Sequence, residues 1–311
     1  MCIRDRWQAV TADATTLVLF RFDFLNNRRL TFALYDQDQD DDKPFNNETQ
    51  YFEHGVGWVT KHLNHTGHGK VLLAWNGLFF SFLPKRNNIQ PASHIGPVVI
   101  DGKAHYNVGQ HRWTFGVSYD SKGLPKFNAI FKPDHETLEQ FSYASDGAQC
   151  LIFAGKPLRL AVPSDPSVVR TRGGMPSTDQ DIGSIPVVDD IKTSRTSIGW
   201  SKDSRYLYVL IVSEPDTETG SINAFRTGNA QVGGWNVADL QSFWKSLGVW
   251  GAINSDGGME TQRTFLQPDG LYELLRPQIS GPARKLILDK NFSNAPQGGT
   301  LMTFYVSESK S

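Results

Sequence analysis

Cysteine is almost missing from this chain, which carries only Cys2 and Cys150. Neither their number nor their separation suits a zinc site, a CxxC redox pair or a disulfide framework, so the two are read as unbridged. No apolar run reaches the ~20 residues that a membrane-crossing helix requires. Charge of one sign is not in excess either. With 31 Lys and Arg against 32 Asp and Glu, the formal net charge is −1. That balance argues against the clustered basic surface that releases counterions from nucleic acid. P-loop, GxGxxG, HExxH and GxSxG patterns are absent, and with them the usual anchors of nucleotide, dinucleotide, zincin and serine-hydrolase chemistry. No cofactor is implied.

What is present is a globular composition. The chain has 311 residues, 12% of them aromatic, and is long enough to bury a sizeable core. The opening MCIRDR lacks the apolar stretch of a signal peptide and shares no pattern with the first expected strand. Residues 1–14 are therefore set apart as a poorly defined, candidate non-native start, and residues 15–308 are expected to form one domain.

Alternating apolar residues predict strands over TLVLFRFDF (16–24) and LTFALYD (30–36), joined by NNRR as an opening hairpin. The acidic run DQDQDDDKPFNN (36–47) lacks the Gly and Glu of a calcium loop and is expected to be a solvated loop. Phe52, Val56, Val59 and Leu63 have helical spacing. His62, His65 and His68 do not share a helical face, and the TG and HG dipeptides beside them predict a loop. Short strands are expected between 95 and 161, with Asp101-Gly102 at one hairpin tip and Gly155 at another. Residues 162–194 and 215–234 read as long loops.

Three stretches carry the candidate chemistry. The continuous apolar run VLLAW suits a strand buried on both faces and ends in Asn76-Gly77. An amide there can orient a ligand, and Asn-Gly also suits a plain turn. Arg195 and Thr196 open a second buried strand. A guanidinium in that position fits phosphate or carboxylate, or an ordinary salt bridge. In the third stretch Asn236 is a good N-cap, Val237, Leu240, Trp244 and Leu247 share one helical face, and Gly248 stops the helix. The strand VWGAINS then delivers Asp256, Gly257 and Gly258, an acid beside backbone that a ligand can approach closely. A hairpin about PDG and a terminal strand LMTFYV complete the pattern.

AWNGLFF (74–80), VVIDGK (98–103), RTSIG (195–199) and LGVWGAINSDGG (247–258), in that order and spacing, resemble the phosphodiester glycosidase family over about residues 70–262. The resemblance implies an α+β single domain: a mixed, mostly antiparallel β-sheet with a few packed helices and long active-site loops. It implies hydrolysis of a sugar-1-phosphodiester within a glycan or polysaccharide, N-acetylglucosamine being one such sugar, and a secreted or periplasmic setting. Carried over, Arg195 would neutralise the departing phosphate. Asp256 would act as base on water or stabilise an oxocarbenium-like transition state. Asn76 would hold a sugar hydroxyl or the phosphate, with Gly77, Thr196, Gly257 and Gly258 lining the substrate. Where the family runs NLDGGGS this chain runs INSDGGMET: Ser255 replaces Leu, Met259 the third Gly and Glu260 the Ser. Glu260 is then a second carboxylate or a surface acid. Two rival readings stand beside this one: a glycan- or cell-wall-polymer-binding module with a degenerate site, and a metal-dependent hydrolase pairing Asp256 with the acids of 36–42.

Overall fold

The computed structural model describes residues 5–309, apart from Phe52, His68, Asn88 and the segments 107–112, 162–183, 187–191, 216–232 and 278–284. Most of the two expected long loops therefore lies outside the described residues, as do Cys2 and His68.

Two mostly antiparallel sheets face one another across a shared core. The larger runs Asp5–Val10, Thr16–Asp23, Tyr206–Ser213, Arg195–Trp200, Gly251–Asn254, Tyr143–Phe153, Trp113–Tyr119, Pro125–Phe131. The smaller runs Lys285–Leu288, Tyr272–Leu275, Arg263–Leu266, Lys70–Asn76, Met302–Glu308, Leu30–Asp36. Aromatic side chains from both inner faces interlock: the Phe32 ring meets Phe115 edge-on at 5.8 Å, and Phe20 meets Phe265 at 5.1 Å. Strand content dominates, so the α+β class holds in a strand-rich form.

The opening hairpin does not form. Thr16–Asp23 pairs with Tyr206–Ser213, whereas Leu30–Asp36 pairs with Met302–Glu308 in the other sheet. Both turn one face into the common core, where Phe20, Phe22 and Phe32 lie together, and Leu30–Asp36 also buries Ala33 and Tyr35 on its other face. Placing them in facing sheets satisfies the alternation as well as a hairpin does.

Among the described residues the two longest helices pack on the outer faces, one on each sheet. Val56–Thr66 buries Val56, Val59 and Leu63 against Val71, Ala74 and Tyr305. It includes His62 and His65, which are helical and not in a loop. The helix starts at Val56, later than the spacing suggested, because Gly55 is its N-cap and the Val56 N–H is taken by Gln262 Oε1 at 2.9 Å. Val237–Leu247 begins as expected at Asn236, whose side chain accepts from Asp239 N within a capping box, and ends at Gly248 in the left-handed region. Trp244 lies flat on Gly199, where a Cβ would come within 2.8 Å of the indole, and its N–H donates to Ser197 Oγ at 2.7 Å. Leu247, assigned to the same face, is instead 40% exposed.

The start of the 36–47 run departs from its expected solvated loop, while Asp40, Asp42, Lys43, Pro44 and Asn46 are exposed as expected. Gln37–Asp40 forms a 3-10 turn, and Asp36 and Asp38 are fully buried. Asp36 Oδ1 faces His94 Nε2 at 3.0 Å, and the Tyr106 hydroxyl lies 2.7 Å from Asp36 Oδ2 and from Asp38 Oδ2. Asp36 and Asp38 turn inward because a histidine and a phenol from distant sequence supply their hydrogen-bond partners.

Candidate active site

After Asn254 the chain leaves the larger sheet, crosses the edge of the core and joins the smaller sheet at Arg263. Residues 255–262 make that crossing, and both sheets hold it by hydrogen bonds. From the larger sheet, Ser255 N donates to Thr196 O at 2.9 Å and Gly258 N to Ser194 O at 2.7 Å. From the smaller, Asp256 N donates to Gly77 O at 3.2 Å and Asn76 N to Gln262 O at 3.3 Å. Asp256 thus sits between the end of the Lys70–Asn76 strand and the start of Arg195–Trp200. Stretches 76–77, 195–196 and 256–258 converge on one place.

Asn76 is the pin. It is buried, and its Nδ2 donates to Asp256 O at 2.8 Å while its Oδ1 accepts from Thr196 Oγ1 at 3.0 Å and from Gln262 N at 3.2 Å. With its carbonyl oxygen doubly occupied, Asn76 positions Asp256 by joining all three segments. Gly77 is required by packing, because a Cβ there would lie 2.0 Å from Met302 Cγ and 2.9 Å from Met302 O. Gly257 is required too. A Cβ would sit 2.8 Å from Ser194 O and 3.3 Å from Arg195 Cα, so glycine lets the acid's segment lie directly on the strand that carries the arginine.

The electrostatics are asymmetric. Asp256 is driven well above the usual carboxylate range, first by desolvation and then by the nearby charge of Glu260. A hydrogen bond from Gly257 N to its Oδ1 at 2.8 Å and the charge of Arg195 oppose that shift without overcoming it. Arg195 is itself 3% exposed and donates from Nε to Trp235 O at 3.1 Å. Glu260, on the 3-10 turn Gly258–Glu260, accepts from the hydroxyl of buried Tyr51 at 2.9 Å. An acid with raised proton affinity, a second acid and an arginine are a set suited to moving a proton beside a developing negative charge.

With that geometry in hand, the chain can be set beside solved structures. The zebrafish N-acetylglucosamine-1-phosphodiester alpha-N-acetylglucosaminidase catalytic domain, auto-inhibited by its pro-peptide, superposes with a TM-score of 0.52 at 16% identity, covering 98% of this chain and 82% of that one. The two are related in fold. A hypothetical protein from Synechocystis (TM-score 0.48, 10% identity, 97% and 61% covered) and a protein from Burkholderia pseudomallei (0.49, 12%, 94% and 74%) are also similar. No family model and no curated protein sequence matches.

Several contributors were not foreseen. Tyr51 reaches the crossing from a segment with no motif, Gln262 closes the crossing itself, and Ser194 acts through its backbone carbonyl, which any residue supplies. Of the acids of 36–42, Asp36 and Asp38 join His94 and Tyr106 and Asp40 meets Tyr35 and His62, and no group of three or more His, Cys, Asp or Glu suited to a metal occurs among the described residues. Two surface clefts, one beside Lys126, Lys202 and Trp250 and one beside Asp101, Tyr119 and Tyr143, are lined by none of the residues above. Here the chemistry marks the site more clearly than concavity does.

Proposed function

We propose that the chain is a hydrolase acting on a sugar-1-phosphodiester, with Asp256 as its proton-transfer group. One observation carries the reading: Asp256 lies within electrostatic reach of both Glu260 and Arg195, in the crossing that joins the two sheets. The fold it shares with the zebrafish phosphodiester glucosaminidase supports the same class of substrate.

In the proposed reaction water adds to C1 of the sugar as the C1–O bond to phosphorus breaks. Asp256 takes the water's proton; a carboxylate of raised proton affinity is the better base for that step. The phosphate departs as a monoester whose charge Arg195 offsets, so that the leaving group needs no proton. Glu260 keeps Asp256 basic by like-charge repulsion. Asn76 and Thr196 are positioning residues that fix the Asp256 backbone, while Gly77, Gly257 and Gly258 allow the close approach of the segments and the substrate.

The test is phosphorus NMR of the intact protein with an N-acetylglucosamine-1-phosphodiester. Conversion of the diester signal into a monoester supports the reading. Saturable binding without conversion replaces it with a glycan-binding module, the outcome that Met259 and Glu260 would then explain.

A further inference from the structure

Beside Glu260 the molecule exposes an aromatic surface that the mechanism leaves unused. The short strand Phe80–Phe82 begins three residues after Gly77 and pairs with Pro91–His94. Its two phenylalanines, two residues apart, point to the same side. Phe82 is 55% exposed, the exposed Ile89 is nearby in sequence, and Phe80 is half-buried. The Phe82 ring stands perpendicular to two others: Tyr51 at 4.8 Å and 81°, and Phe80 at 5.3 Å and 86°. Edge-to-face contacts on two sides hold that ring in place while much of it stays open to solvent. Tyr51 is also the residue whose hydroxyl donates to Glu260 at 2.9 Å. The surface therefore begins one side chain away from the acid pair.

We propose that Phe82, braced by Tyr51 and Phe80, is a subsite for a further pyranose unit of the substrate, so that the enzyme prefers an oligosaccharide to a single sugar. The inference rests on the hydrolase reading for its place in a reaction, but the binding stands apart from turnover. A fixed ring with much of its surface open offers apolar carbon to the axial C–H groups of a pyranose and loses little entropy on contact. Phe lacks a polar tip, so the contact selects ring shape and not a particular hydroxyl. One exposed ring beside a half-buried one also fits a single sugar ring better than the many residues of a protein interface.

The experiment is calorimetric titration of the full chain with chitotetraose, cellotetraose and maltotetraose, none of which contains a phosphodiester. At least one should bind, and Phe82→Ala should weaken it about tenfold, with Phe82→Trp restoring it. In kinetics, Phe82→Ala should raise KM for an oligosaccharide-extended phosphodiester and leave a monosaccharide phosphodiester unchanged. Tetraose binding that depends on Phe82 in a protein without turnover would refute the hydrolase reading and leave the subsite standing. No binding of any tetraose, binding indifferent to Phe82→Ala, or Phe82-dependent binding of dodecyl phosphate alone would each overturn the proposal.

Discussion

The side-chain amide of Asn76 donates to the main-chain carbonyl of Asp256 at 2.8 Å, tying the last residue of a strand in one sheet to the crossing that leaves the other. That bond makes the position of the acid a property of how the two sheets meet.

Replacing Asn76 should therefore cost stability before it costs chemistry. Asn76→Ala leaves Asp256 O, Gln262 N and the Thr196 hydroxyl without their buried partner. Unpaired groups of this kind cost about 1–3 kcal/mol each, so a loss of about 2–5 kcal/mol is expected in urea unfolding after partial relaxation. A loss under about 0.5 kcal/mol would mean that the pin is not structural.

Gly257→Ala tests the seating of the acid on the arginine's strand. The new methyl would press on Ser194 O at 2.8 Å, which is backbone and cannot swing away. Overpacking of this kind costs about 1–3 kcal/mol and should lower kcat/KM for a sugar-1-phosphodiester, since Asp256 and Arg195 move apart. Wild-type stability and turnover in this variant would show that the close approach is dispensable.

The pH dependence has a definite sign. Because Asp256 holds its proton to higher pH when folded than when unfolded, it contributes stability below its unfolded pKa that is lost as pH rises through the folded value. Asp256→Asn should accordingly be more stable than wild type at neutral pH and no more stable in acid. Glu260→Gln removes one cause of the shift, so the acid limb of the activity profile should move to lower pH. A limb that stays in place would assign it to another group.

The buried Asp36–His94 pair makes the opposite prediction. Burial pushes Asp36 up, but the charge and hydrogen bond of His94 and the Tyr106 hydroxyl outweigh it and leave the carboxyl below its ordinary range. Such a group contributes stability above its unfolded pKa, lost as pH falls through the folded one. His94→Ala strands a buried acid, so it should cost about 3–5 kcal/mol and raise the pH of acid unfolding. Circular dichroism across an acid titration measures both.

The sequence made the strands of the site legible because each is a long apolar run with a clear stop: VLLAW before Asn76, LYVLIV after the KDSR turn, and GAIN before Ser255. The helix Val237–Leu247 was legible for its cap, its glycine and its spacing. Pairing partners were not. The alternation in 16–24 and 30–36 says that each strand has one face to bury, and a hairpin and two facing sheets meet that demand equally. The inward turn of Asp36 depends on His94 and Tyr106, which lie 58 and 70 residues away. Tyr51 gives no local signal, because its role is a single long-range hydrogen bond to Glu260.

The most direct test of the account is turnover of an N-acetylglucosamine-1-phosphodiester by Asp256→Asn, monitored by phosphorus NMR beside wild type. General acid–base groups contribute about a hundredfold to ten-thousandfold, so the variant should lose activity on that scale while its melting temperature at neutral pH does not fall. Near-full turnover by Asp256→Asn would remove Asp256 from the mechanism and contradict the assignment of this site.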